Sequence, residues 1–201
     1  MNKFIKKLVQ ISMLLVLAVP AWAGEVESAE KRVVDVTTNI VRLLDANLSL
    51  YEQNEAALTA MVRKEVLPFI DFEAMSKLTL GRYWTTASAQ QRTRFINAFR
   101  EMLVRSYAKT MLEYSGSKIR GGNSAQNTKP GYVIVRTVVI PKGSSPIAAN
   151  YSVRSNSGDW KAYNVEISGI NLITNFRTNF TREVGEKGLE ALITRLENTG
   201  K

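Results

Sequence analysis

The chain has 201 residues, a formal net charge of +9, no histidine and no cysteine. Without those two residue types it can build neither a Ser-His-Asp triad nor a Cys-His dyad, it lacks the usual zinc ligands, and it can form no disulfide. This length suits one domain with a substantial core.

The chain opens MNKFIKKLVQISMLLVLAVPAWAGE: Lys3, Lys6 and Lys7, an apolar run from Leu8 to Val19, then Ala21-Trp22-Ala23, a small-x-small cleavage pattern. The run is shorter than the roughly 20 residues that cross a bilayer, and Pro20 interrupts it, so a cleaved secretory signal is favoured over a retained anchor. Cleavage after Ala23 is expected to leave residues 24–201 as a single exported domain.

AEKRVVDVTTNIVRLLDANL then sets Val33, Thr37, Ile40 and Leu44 on one helical stripe, widened by Val36 and Leu43. NEAALTAMVRKEVL repeats the pattern from a cap at Asn54 to a stop at Pro68. Asp71 stands at the N-cap position of FEAMSKLTL, and Gly81 stands where that helix ends. Ser88 and Gln91 have capping-box spacing, and the helix they open runs without Gly or Pro to Ser115. Its apolar residues are Phe95, Phe99, Met102, Leu103 and Met111, with Ile96, Val104 and Tyr107 beside them.

From Lys118 the period changes to two, in SKIRG, YVIVRTVVIP, PIAANYSVRS and DWKAYNVEIS, separated by Gly-, Ser-, Asn- and Pro-rich turns. The connection GGNSAQNTKPG is long for a hairpin loop and is expected to be mobile. Alternation places Val133, Val135, Thr137 and Val139 on one face of the second strand, Ala149, Tyr151 and Val153 on one face of the third, and Tyr163, Val165 and Ile167 on one face of the fourth. Two more helices close the chain, one bearing Ile173, Phe176 and Phe180, the other Leu189, Leu192, Ile193 and Leu196. The order predicts an α+β domain: a curved four-stranded antiparallel sheet with several helices packed on its apolar face.

Catalysis by carboxylates alone would draw on Asp71, Glu73, Asp159 or Glu166. Asp71 reads as a cap, Asp159 belongs to a turn, and Glu166 faces away from Val165 and Ile167. No phosphate loop or dinucleotide fingerprint is present. The scattered basic residues (Arg63, Lys64, Arg92, Arg94, Arg100, Arg105, Lys109, Arg136, Arg154, Lys161, Arg177) read first as solvated surface and second as a docking charge for acidic proteins or anionic head groups. They form no dense motif for nucleic acid. These residues read as a binding protein rather than an enzyme.

Nearly all of residues 24–201 resembles the MlaC family of periplasmic phospholipid carriers, also called the toluene-tolerance auxiliary family. VLPFIDFEAMSKLTLGRYW carries Pro68, Phe69, Asp71, Phe72, Met75, Gly81 and Trp84; the QQRTRF helix start and WKAYNVEISGINLITNFRTNF, with Gly169 and Phe180, complete the likeness. Asn164 stands where the family commonly has Asp, and Asn171 where it commonly has Ser. The resemblance implies a monomeric periplasmic shuttle, without a cofactor or metal, whose cargo is a phospholipid. It implies exchange between an outer-membrane lipoprotein complex and an inner-membrane ABC transporter with a substrate-binding ring, maintaining outer-membrane lipid asymmetry. It also implies a pocket for the acyl chains between sheet and helices. Combined with the apolar faces, this nominates Val135, Tyr151, Val153, Tyr163, Val165 and Ile167 opposite Phe95, Phe99, Met102, Leu103, Tyr107 and Met111 as lipid-binding. The alternative is an exported adaptor with a solid core; a carboxylate-dependent hydrolase is the third reading.

Overall fold

A computed structural model describes residues 21–126, 129–156 and 158–199. All but the last three residues of the expected signal segment lie outside the described residues. The first helix, α1 (Ala21–Ala46), includes the polar lead as well as the apolar stripe. Next come α2 (Leu48–Gln53), which the sequence patterns did not indicate, and α3 (Glu55–Met61), whose N-terminus Asn54 caps by accepting from the Ala57 amide at 3.0 Å.

The helix expected to run up to Pro68 forms but changes pitch, passing from α3 into a π turn (Val62–Val66) and then a 3₁₀ turn (Leu67–Phe69). Proline has no amide to donate, so the regular ladder ends there. Ile70 then bridges to Ala162, and the Asp71 amide donates to the Ala162 carbonyl at 2.8 Å. Asp71 also opens α4 (Phe72–Leu80), accepting from the Ala74 amide at 2.9 Å, while its second oxygen meets Arg154 Nε at 2.5 Å. One carboxylate thereby ties a helix start to the sheet. Gly81 ends α4 at φ +53°, a conformation that a side chain disfavours, with the Arg177 guanidinium packed where a Cβ would stand.

After α5 (Tyr83–Thr86), the capping box of Ser88 and Gln91 opens α6 (Ala89–Tyr107), with both reciprocal hydrogen bonds at 3.1 Å. The sequence predicts one helix to Ser115, but α6 stops at Tyr107 and Lys109–Tyr114 winds as a 3₁₀ turn. The next two residues are anchored at the C-terminal end of α1, where Asp45 accepts from the Ser115 hydroxyl at 2.7 Å and from the Gly116 amide. This long-range tie, absent from any local pattern, accompanies the change of pitch.

The four expected strands are β1 (Lys118–Gly121), β3 (Tyr132–Ile140), β4 (Ile147–Asn156) and β5 (Asp159–Ile167); the short β2 (Ala125–Gln126) and β6 (Ile170–Asn171) are additions. All pairings are antiparallel, in the order β1-β3-β4-β5-β6, with β2 also on β3. The long connection after β1 therefore carries β2. Ser168 and Gly169 turn β5 into β6 with φ of 51° and 80°, as a two-residue hairpin turn of the primed type requires. Asn171 then caps α7 (Leu172–Lys187), accepting from the Thr174 amide at 3.0 Å, as a serine would; α8 (Leu189–Asn198) follows.

A bulge alters the phase of β5. Ser152 pairs with Asn164 but Val153 pairs with Ala162, so Tyr163 is the extra residue. Trp160 and Ala162 are buried under the helices on one side of it, and Val165 and Ile167 turn inward on the other. Tyr163 instead turns outward, its ring 5.8 Å from that of Tyr132 on the opposite sheet face. Strict alternation across all of β5 is thereby corrected. Asn164 at the bulge accepts from the Ile173 amide at 3.3 Å, an acceptor role that an aspartate could also fill.

Candidate functional site: an apolar cavity between sheet and helices

Three apolar clusters fill the interior. The first joins α4, α5, α6, α7 and α8 through Phe95, Phe99, Met102, Phe180 and their neighbours. In the second, Ala29 and Val33 of α1 pack on Val133, Val135, Val153, Trp160 and Ala162 of the sheet. In the third, Ile40 and Leu44 of α1 meet Leu58, Met61 and Val62, and Val104 and Ala108 from the end of α6. Where the second and third clusters meet against the sheet, the side chains leave a cavity of about 310 Å³.

One wall is α1, through Val36, Thr37, Ile40, Val41 and Leu44. The sheet supplies the facing wall through Ile119, Val139, Ile147, Ala149, Tyr151, Val165 and Ile167. Val66 and Phe69 from the π and 3₁₀ turns, with Ile70, close one side, and Tyr107, Met111, Tyr114 and Leu172 complete the lining. No charged side chain is among these residues. Tyr107 and Ile167 are 42% and 36% exposed and mark the opening; Ile170, just beyond, is 61% exposed.

Of the twelve nominated lipid-binding residues, Tyr107, Met111, Tyr151, Val165 and Ile167 border this cavity. Phe95, Phe99 and Met102 do not: they lie in the first cluster with Leu103 packed against it, because that face of α6 is covered by α7 and α8 rather than by the sheet. Val135 and Val153 face the helices but are sealed under α1 in the second cluster. Tyr163 lies on the outer face of the sheet, as the bulge dictates.

Read as one continuous helix at about 100° per residue, Val104, Ala108 and Met111 fall on the side opposite Phe95 and Phe99, with Tyr107 beside them. The sequence therefore carries two apolar stripes, one ending near Leu103 and one beginning at Val104. The second stripe still mixes core with wall, since Val104 and Ala108 are buried in the third cluster while Tyr107 and Met111 border the cavity. The contributions of Val66, Phe69, Tyr114 and Leu172 had no such signal, since they depend on pitch changes and on a strand turn.

Tyr151 stands out chemically. Burial, and secondarily the neighbouring Tyr114, pushes its phenol up to about 12, which keeps it neutral at physiological pH. Three of the four carboxylates considered for catalysis have other partners: Asp71 has Arg154 and its helix cap, Glu166 accepts from Asn150 at 3.0 Å, and Asp159 lies 3.5 Å from Lys161; the fourth, Glu73, is exposed in the first turn of α4, away from the cavity lining. Among the described residues no group of acidic side chains could hold a metal ion. Many of the scattered basic residues are also paired, Arg63 with Glu101, Arg94 with Glu190 and Glu197, and Arg154 with Asp71.

The chain is 27% identical over 159 residues to the intermembrane phospholipid transport system binding protein MlaC of Haemophilus influenzae, a match covering 78% of this chain and 74% of that protein. It is 25% identical over 178 residues to toluene tolerance protein ttg2D of Pseudomonas putida, covering 88% and 82%. The same fold occurs in a phospholipid-binding protein of Ralstonia solanacearum solved in complex with a phospholipid, with a TM-score of 0.77 at 22% identity, covering 84% of this chain and 94% of that one. Residues 34–198 match the family model described as MlaC protein, and the chain belongs to the MlaC family.

Proposed function

We propose that the protein is a periplasmic phospholipid carrier, shuttling lipid between an outer-membrane lipoprotein complex and an inner-membrane ABC transporter and so maintaining outer-membrane lipid asymmetry. The observation that carries this reading is the uncharged cavity of about 310 Å³, walled by α1 and the sheet and open beside Tyr107 and Ile167. Its size is at the lower end of the range for ligand pockets. The Haemophilus influenzae relative, named as the binding protein of an intermembrane phospholipid transport system, supports the same assignment.

Each buried CH₂ is worth about 0.8 kcal/mol against water, so complete burial of two acyl chains of ordinary length would be worth on the order of 20 kcal/mol, and a cavity of about 310 Å³ encloses a part of them. Escape into water is negligible on that scale. A bilayer is as apolar as the cavity, however, so exchange between them is nearly neutral, and a docked partner can bias it without nucleotide hydrolysis by the carrier. The head group remains at the opening, where Tyr107 and Ile167 meet solvent. An adaptor with a solid interior would not need this cavity.

Mass spectrometry of lipid extracted from the exported, purified protein tests the reading. Stoichiometric phospholipid is expected, and protein free of it would refute the carrier. Intact mass on the same sample is expected to place the N-terminus at Gly24, with residues 1–23 removed.

A further inference from the structure

Four polar side chains border the cavity: Thr37, Tyr107, Tyr114 and Tyr151. Thr37 is satisfied, its Oγ1 donating to the Val33 carbonyl at 2.7 Å. Tyr107 stands at the opening, exposed to solvent. Tyr151 is different. It lies inside β4, backed by Phe69 at 6.5 Å between ring centroids, and its hydroxyl has no hydrogen-bond partner among the described residues. Tyr151 is half-buried and borders the open cavity, so its hydroxyl is not sealed; an apolar occupant that excludes water there would leave it unpaired, at a cost, unless that occupant brings an acceptor.

Register gives its depth. Ala149 pairs with Ile167 at the opening, and Tyr151 pairs with Val165 two residues further in, roughly 7 Å along the strand. A neutral phenol donates one hydrogen bond, and the lining offers no cation to accompany an anion. A phosphate or carboxylate at that depth would be desolvated without a counter-charge, so the fitting acceptor is uncharged. In an acyl lipid the uncharged acceptors nearest the head group are the ester carbonyls.

We propose that Tyr151 is the specificity-determining residue of the cavity: its hydroxyl donates to an ester carbonyl oxygen of the cargo, fixing how deep the acyl chains enter and selecting ester-linked over ether-linked lipid. Tyr114 stands close enough to shape the same polar spot. This inference rests on the phospholipid reading of the cavity.

The test uses two phospholipids with the same head group and chain length, one diacyl and one dialkyl, loaded from vesicles into delipidated wild-type protein and Tyr151→Phe. Loss of one hydrogen bond corresponds to a change of about 2- to 10-fold. Wild type is expected to prefer the ester lipid by that factor, and Tyr151→Phe, which keeps the ring and its packing, to take both equally at the level of the ether lipid. Equal uptake of both lipids by wild type would overturn the proposal and leave the carrier intact, as would a hydroxyl served only by water. An ester preference that survives in Tyr151→Phe would move the selectivity to another residue. Uptake of neither lipid by wild type would refute the carrier reading itself, and this inference with it.

Discussion

Around Phe95 and Phe99, α6 meets α7 in a group of four phenylalanine rings with Phe176 and Phe180, centroids 5.2 to 5.8 Å apart and mostly edge to face. From Tyr107 into the following 3₁₀ turn, the same stretch of chain borders a cavity of about 310 Å³. Both regions are apolar, so hydrophobicity does not separate them. What differs is whether the surfaces can approach. Helices can slide and rotate until rings interlock. The sheet is held by its ladders, and α1 is pinned to it at Val33 and pinned again to α3 and α6 at Leu44, so the gap between the pins stays open. A filled core and an open cavity are therefore made from the same residue types under different mechanical constraint.

The sharpest way to break this comparison is to remove a ring from the filled side. Phe99→Ala should destabilise delipidated protein by about 3 to 5 kcal/mol in denaturant unfolding, while the folded fraction keeps its lipid content. Loss of lipid from protein that is still folded would mean that the two regions are not independent. On the cavity side, Val165→Trp adds bulk where the side chains leave space, so lipid content should fall about tenfold with little loss of stability. An overpacked solid core would instead lose about 1 to 3 kcal/mol and leave lipid content unchanged.

Tyr151 gives the cavity an alkaline signature. Its folded-state pKa, about 12, exceeds the unfolded value, so its contribution is complete below about pH 10 and is lost as pH rises toward 12. In that window it should remove stability at about 1.4 kcal/mol per pH unit, a slope that Tyr151→Phe should lack. Equal slopes in parallel denaturant titrations would place the phenol in contact with water.

The smallest effect belongs to the helical side and to acid. Hydrogen bonding from Arg195 holds the Glu183 carboxyl below its usual range. A depressed folded-state pKa contributes stability above the unfolded value, near 4.3, and loses it as pH falls through the folded one. Arg195 is half exposed, so solvent screening limits the pair to about 0.5 kcal/mol. Glu183→Gln should show that deficit at pH 7 and none in strong acid. The cavity lining has no carboxylate, so lipid content should stay flat across the same titration.

The amino-acid sequence by itself determined most of the longer elements and several caps: Asn54, Asp71 and the Ser88–Gln91 box start helices where their side chains can bond the free amides of a first turn. It also determined the α+β class and the inward face of β3 and β4, because period two is a local property of extended chain. The family was legible too, in VLPFIDFEAMSKLTLGRYW and WKAYNVEISGINLITNFRTNF. Tertiary structure alone decided which apolar residues are core and which are wall. Burial and cavity lining impose the same requirement on a side chain, that it be apolar, so periodicity cannot distinguish Phe99 from Met111. The deciding features are all contacts between elements: the bulge that turns Tyr163 out, the Asp45 anchor after the 3₁₀ turn that carries Tyr114, and the docking of Ile70 on Ala162 beside Phe69. The last two join residues far apart in the chain, the bulge depends on how two strands pair, and none leaves a local pattern to read.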